Sequence, residues 1–405
     1  METRQVGEGL PAAEPEEIGL SSLALSRIAP AMQAYIDSGE GAGLAMVIAR
    51  HGRVGFRQAL GYMDISNEIP MRTDGVFRIA SLTKPVISAA ALKLVDAGKL
   101  RLGDPVATYI SAFATVQVYT AGLSAEPMLR APKQPMTIEH LLTHTSGLAG
   151  GYFNHPVDSL YRQAGLRHHE QTLAEFADLI AQLPLQSSPG DAWHYSYATD
   201  VLGRVIEVAS GQTLDRFLEG ELLAPLEMRA TSFRVDPLLQ DRILPLYVRG
   251  SDGELERRES LEPSFLPTAR FFSGGAGLLS TPTDYLRFAQ MLLNGGELDG
   301  NRVLSRASVA MMLSNRISPE LTPIATPLFD HVGYGFGFGG AVVVDTNLAS
   351  DPASPGTYRW AGSSGVFFWI DPELDLVAIL WSQTHGIGYR AEHAFERLVY
   401  DAVLP

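Results

Sequence analysis

Four lysines serve the whole 405-residue chain, and one of them, Lys84, follows a serine by three positions in Ser81-Leu82-Thr83-Lys84. Residues three apart on a helix share a face, so a helix opening here brings a hydroxyl and an amine together. A serine hydroxyl is a weak nucleophile until a neighbouring base takes its proton. A lysine can be that base if burial lowers its pKa. The pair points to acyl transfer through a serine. Ser-x-x-Lys is a short pattern, however, and a solvated lysine in the first turn of a surface helix would look the same.

Two further stretches could carry chemistry. In Pro189-Gly190-Asp191-Ala192-Trp193-His194-Tyr195-Ser196, a turn delivers an aromatic-rich strand end to a helix start near Ala198. A tyrosine at such a junction can point into a cleft, where an ammonium favours its phenolate and lets it exchange protons with a serine. On spacing alone, a core tyrosine with a satisfied hydroxyl is the better reading of Tyr195. In Trp360-Ala361-Gly362-Ser363-Ser364-Gly365, small residues on a late strand allow close approach of another group. A strand edge beside a nucleophile can offer an N–H to an oxyanion. The alternative is a β-bulge with no chemical role.

Taken in order, Ser81-x-x-Lys84, Tyr195-Ser196-Tyr197 and Trp360-Ala361-Gly362 resemble the three motifs of the serine β-lactamase and penicillin-binding superfamily, spaced as in its class C branch. Framework stretches are similar too: Phe77-Arg78-Ile79-Ala80-Ser81, Leu141-Leu142-Thr143-His144-Thr145-Ser146-Gly147-Leu148, Ser273-Gly274-Gly275-Ala276-Gly277-Leu278 and Tyr334-Gly335-Phe336-Gly337. The resemblance implies a β-lactamase/transpeptidase-like fold, an antiparallel sheet flanked by helices plus a mainly helical domain. The departures bear on substrate. The β-lactamase branch has Lys-Thr-Gly at the third motif, whose ammonium helps hold the antibiotic's carboxylate; Trp360 stands there instead. An asparagine usually ends the second motif and contacts an amide side chain; here Tyr197 does. Trp-x-Gly at this place resembles the family VIII carboxylesterases and related acyltransferases. An aromatic wall suits an uncharged acyl or alcohol group. An esterase of the α/β-hydrolase type would need a Gly-x-Ser-x-Gly elbow, and the chain has none.

The resulting expectation is a serine carboxylesterase of small-molecule, short-chain esters. Ser81 attacks, Lys84 and Tyr195 hold and remove its proton, and either could be the resting base. The oxyanion sits between the backbone N–H groups of Ser81 and Ser363, with Trp360, Gly362 and Tyr197 lining the substrate. Nothing indicates a long lipid tunnel. β-Lactamase or D-Ala-D-Ala carboxypeptidase activity, acyl transfer to an alcohol, and a non-catalytic binding protein on the same scaffold are the alternatives.

Other signals are set aside. His140 and His144 are four apart, but Leu141 stands where a zinc protease needs glutamate. His168, His169 and His194 read as surface or supporting groups. Gly335-Phe336-Gly337-Phe338-Gly339-Gly340 fits a dinucleotide pattern, yet a strand-like Ala341–Val344 follows instead of a helix; these glycines are expected to let a strand bend close to the cleft. Asp200 and Asp345 have no spacing that supports glycoside hydrolysis, and Asp200 is expected to face solvent or cap a helix.

The elements that must position these residues follow from periodicity. A first helix is expected over 21–38, with Leu23, Ile28, Met32 and Ile36 on one face. Strands 44–49 and 54–60 flank His51-Gly52. Helices are expected at 81–97, 138–143, 173–183, 198–209 and 214–223, the last capped by Thr213, and an amphipathic one runs from Thr281-Pro282-Thr283 to Leu293. Strands at 341–344, 358–361, 366–370 and 376–381 precede a closing helix at 392–403. Strands at both ends with helices between give one sheet built from both termini, an α+β arrangement. The expected division is a sheet domain of 20–85 and 270–405, a helical domain of 86–269 with a surface excursion at 240–272, and a loose leader at 1–19.

Composition sets the bounds. Hydrophobic content of 46% and charged content of 19% mark an ordinary globular chain. A net charge of −14 without a basic run makes nucleic acid an unsuitable partner. There is no cysteine, hence no disulfide and no thiolate chemistry. The N-terminus lacks the basic and apolar regions of a signal peptide, and no stretch approaches the ~20 apolar residues of a membrane span. No metal, organic cofactor or membrane is expected, and the reading is cytoplasmic.

Overall fold

The computed structural model describes residues 9–123, 126–258, 262–326, 330–350, 352–386 and 389–405. Two runs from opposite ends of the chain build its sheet. The first supplies β1 (Gly43–Arg50), β2 (Arg53–Asp64) and β3 (Ile69–Pro70). His51 and Gly52 join β1 to β2 with φ of 54° and 71°, both left-handed, as a two-residue hairpin turn requires. The second supplies β4 (Tyr334–Phe336), β5 (Ala341–Val343), β6 (Tyr358–Gly362), β7 (Val366–Asp371) and β8 (Leu376–Trp381). They form one eight-stranded antiparallel sheet in the order β4-β5-β6-β7-β8-β1-β2-β3. The ends of the chain meet at β1 and β8, where Ala45 lies opposite Trp381 and Arg50 opposite Leu376.

The central strands are apolar on both faces because both are covered. The covering helices are α1 (Ile28–Asp37), α4 (Pro282–Leu293) and α5 (Tyr389–Asp401), while α2 (Thr83–Asp96) and α3 (Ala198–Ser210) pack against each other. Leu44, Met46, Ile48, Phe367, Trp369 and Leu380 pack with Ile28 and Met32 of α1 and Phe395 and Val399 of α5. The alternate residues, among them Ala45, Val47, Phe368, Ile379 and Trp381, join the larger core with α4. Tyr285 of α4 meets Phe368 at 4.9 Å and Trp381 at 5.6 Å. The period of two along each strand thus sorts side chains into two cores.

The α+β class and the single sheet from both termini hold; several local expectations do not. The helix over 21–38 is two, Ser22–Leu25 and α1. Pro30 has no N–H to give the carbonyl of Ser26, so the helix cannot run through, and Leu23 ends up 72% exposed. Residues 10–19 are not a loose leader: Ala12 bridges Val54, and Leu10 and Ile18 are buried. Residues 1–8 lie outside the described residues.

The excursion at 240–272 is only partly surface. It contains a hairpin, Tyr247–Arg249 with Leu255–Arg257, paired to Thr384–His385, and it buries Leu244, Tyr247, Phe271 and Phe272. Its residues 259–261 are outside the described residues. Thr213 does stand at a helix N-terminus, but its side chain makes no cap; the Leu214 N–H donates to Glu207 Oε1 at 3.1 Å instead. The middle also holds an unforeseen hairpin, Val118–Leu123 with Glu126–Arg130. Finally, α4 is buried from Pro282 through Leu292. It lies between the sheet and other elements, and of its buried polar atoms Asp284 Oδ1 and Gln290 Oε1 have no hydrogen-bond partner.

Among the described residues, no helix is long and apolar enough to cross a membrane, and no group of three or more potential metal ligands occurs.

Candidate active site

Ser81 lies where a strand turns into a helix. Phe77–Arg78 pairs with Leu279–Ser280, and a 3-10 turn over Ala80–Leu82 precedes α2. Ser81 therefore stands just ahead of the α-helix it was expected to open. Ala80 has a φ of +43°, a left-handed conformation that costs a residue with a Cβ about 1–2 kcal/mol. Its neighbours hold it there. The Arg78 N–H donates to Gln383 Oε1 at 2.8 Å, and Ser364 Oγ donates to Arg78 O at 2.5 Å. The Leu278 N–H donates to Thr83 Oγ1 at 3.1 Å, and Tyr285 OH of α4 donates to Leu82 O at 2.9 Å. Strain of this kind persists where the surroundings over-determine it.

Lys84, in the first turn of α2, is 3% exposed. Its Nζ donates to Ser81 Oγ at 3.1 Å, Tyr195 OH at 2.7 Å and Gly275 O at 2.8 Å. An ammonium has three donors, and all three are engaged. Tyr195 OH in turn donates to Ser81 Oγ at 2.6 Å. The tyrosine ring also stands over the ammonium, 4.5 Å from Nζ to the centroid, a cation–π contact. Hydroxyl, amine and phenol, from residues far apart in the chain, thus form one closed triangle of hydrogen bonds.

Tyr195 is held by other rings. Trp360, 5% exposed on β6, lies 5.7 Å from it, 5.3 Å from Phe336 and 5.9 Å from His331. Trp360 therefore backs the tyrosine and presents only a narrow edge outward. His144 lies 5.3 Å from Tyr195. Burial, reinforced by the Lys84 charge, holds its pKa well below the ordinary histidine value, so this ring is neutral. Its Nδ1 pairs with Ser196 Oγ at 3.2 Å. His140 accepts the Thr137 N–H in a capping box, which is a framework role. His194 pairs with Ser187 Oγ at 3.2 Å, and burial pushes its pKa down to about 4.

The end of β6 lies against the serine turn. A Cβ on Gly362 would stand 2.5 Å from Ile79 O and 3.3 Å from Ala80 Cβ, so only glycine permits the contact. Ser363, next along, is exposed. Gly339, with φ of +79°, would set a Cβ 2.8 Å from Lys84 O. The glycine-rich run thus rests on α2 beside the lysine, and β5 follows it, as expected. Tyr197 sits at the N-cap of α3. It packs in a tyrosine cluster, 6.3 Å from Tyr161 and 6.1 Å from Tyr152, with the Arg167 guanidinium 5.5 Å over its ring.

Sequence reasoning misplaced Asp200. It neither faces solvent nor caps α3; it is 1% exposed and accepts hydrogen bonds from Ser273 and Gly275. An acidic residue in the first turn of the helix after the tyrosine motif was the available signal, but nothing local reveals its partners.

Esterase EstB of Burkholderia gladioli is 32% identical over 365 residues, covering 84% of this chain and 86% of that protein. EstCE1, a hydrolase with promiscuous acyltransferase activity, superposes with a TM-score of 0.79 at 29% identity, covering 93% of this chain and 98% of the other. The LovD6 mutant of simvastatin synthase from Aspergillus terreus superposes with a TM-score of 0.81 at 23% identity, covering 95% and 98%, a likeness of fold. The Beta-lactamase family model matches residues 28–402, and the chain belongs to that family of serine hydrolases.

Proposed function

We propose that this hydrolase is a carboxylesterase acting on short-chain esters through an acyl-enzyme on Ser81. The observation that carries the reading is the triangle of Ser81, Lys84 and Tyr195, with Tyr195 OH 2.6 Å from the serine and 2.7 Å from the amine. Ser81 Oγ attacks the ester carbonyl carbon as its proton passes into the Lys84–Tyr195 pair. The same pair returns a proton to the departing alcohol. Water then attacks the acyl-enzyme by the reverse route. The oxyanion is assigned to the backbone N–H groups of Ser81 and Ser363; one such donor is typically worth ~10²–10³ in rate. Ser81 stands at the start of α2, where unpaired N–H groups and the helix dipole favour developing negative charge.

Trp360 supports an uncharged substrate, since it replaces the ammonium that would hold a carboxylate, and the similarity to EstB agrees with it. Transfer to an alcohol in place of water is the second reading, favoured by the similarity to EstCE1.

Turnover of p-nitrophenyl acetate and butyrate set against nitrocefin tests the assignment, with Ser81→Ala as control. Efficient ester turnover, lost in the variant, is expected. Nitrocefin turnover without ester turnover would give the site to β-lactams or related peptides. Product partitioning on adding an alcohol separates transfer from hydrolysis.

A further inference from the structure

Of the three acceptors around Lys84, the Gly275 carbonyl takes no part in the chemistry. That carbonyl shares its peptide with the Ala276 N–H, which donates to Ser273 Oγ at 3.1 Å. Ser273 Oγ also accepts from Arg167 Nη2 at 2.8 Å. Both acceptor sites of the hydroxyl are then filled, and its one hydrogen must go to Asp200 Oδ1, 2.5 Å away, since a carboxylate can only accept. The bonds therefore run in a single sense: Lys84 ammonium, Gly275–Ala276 peptide, Ser273 hydroxyl, Asp200 carboxylate. Links that point the same way polarise and strengthen one another in a buried setting.

We infer that Asp200 and Ser273 are positioning residues, fixing the Gly275 carbonyl as an anchor that orients the Lys84 amine toward Ser81 and Tyr195. The inference rests on the reading of those three residues as the catalytic group. A neutral amine keeps two N–H donors and one lone pair. With one N–H tied to Gly275 O, the other N–H and the lone pair can only be shared between the serine and the phenol. The amine then stays aligned whichever partner holds the proton.

The surroundings are built to keep this line in place. Asp200 Oδ1 takes the Gly275 N–H as well, at 3.1 Å. A Cβ on Gly275 would lie 2.7 Å from Asp200 Oδ2, and one on Gly274 would lie 2.3 Å from Thr199 O. Only a glycine pair fits this tightly on the start of α3. Arg167 Nε, 4.0 Å from Asp200 Oδ1, balances part of the buried charge. The charged and titratable groups facing this line are Lys84, Tyr152, Tyr195, Tyr197, Arg167 and the neutral His144.

Asp200→Asn keeps the shape and an acceptor but removes the charge; Ser273→Ala cuts the line at its pivot. The readouts are kcat and KM on p-nitrophenyl butyrate, the pH profile of kcat/KM, the rate of Ser81 labelling by a fluorophosphonate, and the unfolding temperature. Each variant is expected to lose about 10–100-fold in kcat, the scale of a misaligned reacting group. The labelling rate should fall in parallel while KM stays within about threefold, because ground-state binding is untouched. In Asp200→Asn the profile should move to lower pH, since a buried negative charge behind the site has been removed. Parental kcat and labelling rates in both variants would overturn the inference, as would losses that follow only the unfolding temperature. If the parent is labelled at Ser81 but inert to esters, the ester assignment alone fails and the labelling rates still decide the role of Asp200. If the folded parent is not labelled, both fall.

Discussion

At the scale of single residues, the site holds more donors than its proton count strictly needs. Lys84 and Tyr195 both reach Ser81 Oγ and both reach each other. Groups that share a proton act as a unit, so their removal is not additive. Lys84→Ala and Tyr195→Phe should each lower kcat by about 10²–10⁴-fold, the range of general acid–base catalysis. The double variant should lose little beyond the worse single one, and steady-state kinetics on one ester checks this. Multiplying losses would mean that the amine and the phenol act in separate steps. These three side chains were singled out in the sequence by the order of their motifs and its resemblance to a known family, since spacing alone favoured a core role for Tyr195. Asp200 was not, because its function depends on Ser273 and Gly275, more than 70 residues further along.

At the scale of elements, α4 shows how burial overrides a periodic pattern. Its sequence reads as amphipathic, yet Asp284 is fully buried beneath the loop at 230–231. Burial pushes its carboxyl up to about 6, against the hydrogen bonds from Ala230 N–H and Thr231 Oγ1 that pull it down. An acid whose folded pKa is raised contributes stability below its unfolded pKa and loses it as pH rises through the folded value. For Asp284 that window runs from about pH 4 to pH 6. Asp284→Asn removes the titration, so its stability relative to the parent should rise across that window and level off above it. Urea midpoints at pH 4, 5, 6 and 7.5 measure the difference; a constant difference would refute the assignment. The strands and most helices were readable from period and punctuation. The break at Ser26–Arg27 was not read, although Pro30 is its local signal.

At the scale of the whole molecule, the site depends on the two ends of the chain meeting in one sheet. β6, which carries Trp360 and Gly362, is tied to α5 by Arg359, buried with Glu392 and Glu396. Burial works against that guanidinium's charge, and the two carboxylates more than restore it, holding its pKa well above the ordinary value. Removing one side of a buried ion cluster strands the other. Arg359→Met should therefore lower the unfolding free energy by about 3–5 kcal/mol, read from urea denaturation; an unchanged midpoint would show the cluster to be neutral in effect. The sequence by itself determined the Ser81-x-x-Lys84 pair and the tyrosine motif at Tyr195, the strands of the sheet and the absence of an α/β-hydrolase elbow. Each of these is written locally, in residue type, spacing or period. Tertiary structure alone decided that Trp360 backs Tyr195, that α4 is buried throughout, and that Asp200 lies behind the lysine. Those outcomes are set by which distant surfaces pack together, and packing joins residues that share no local pattern.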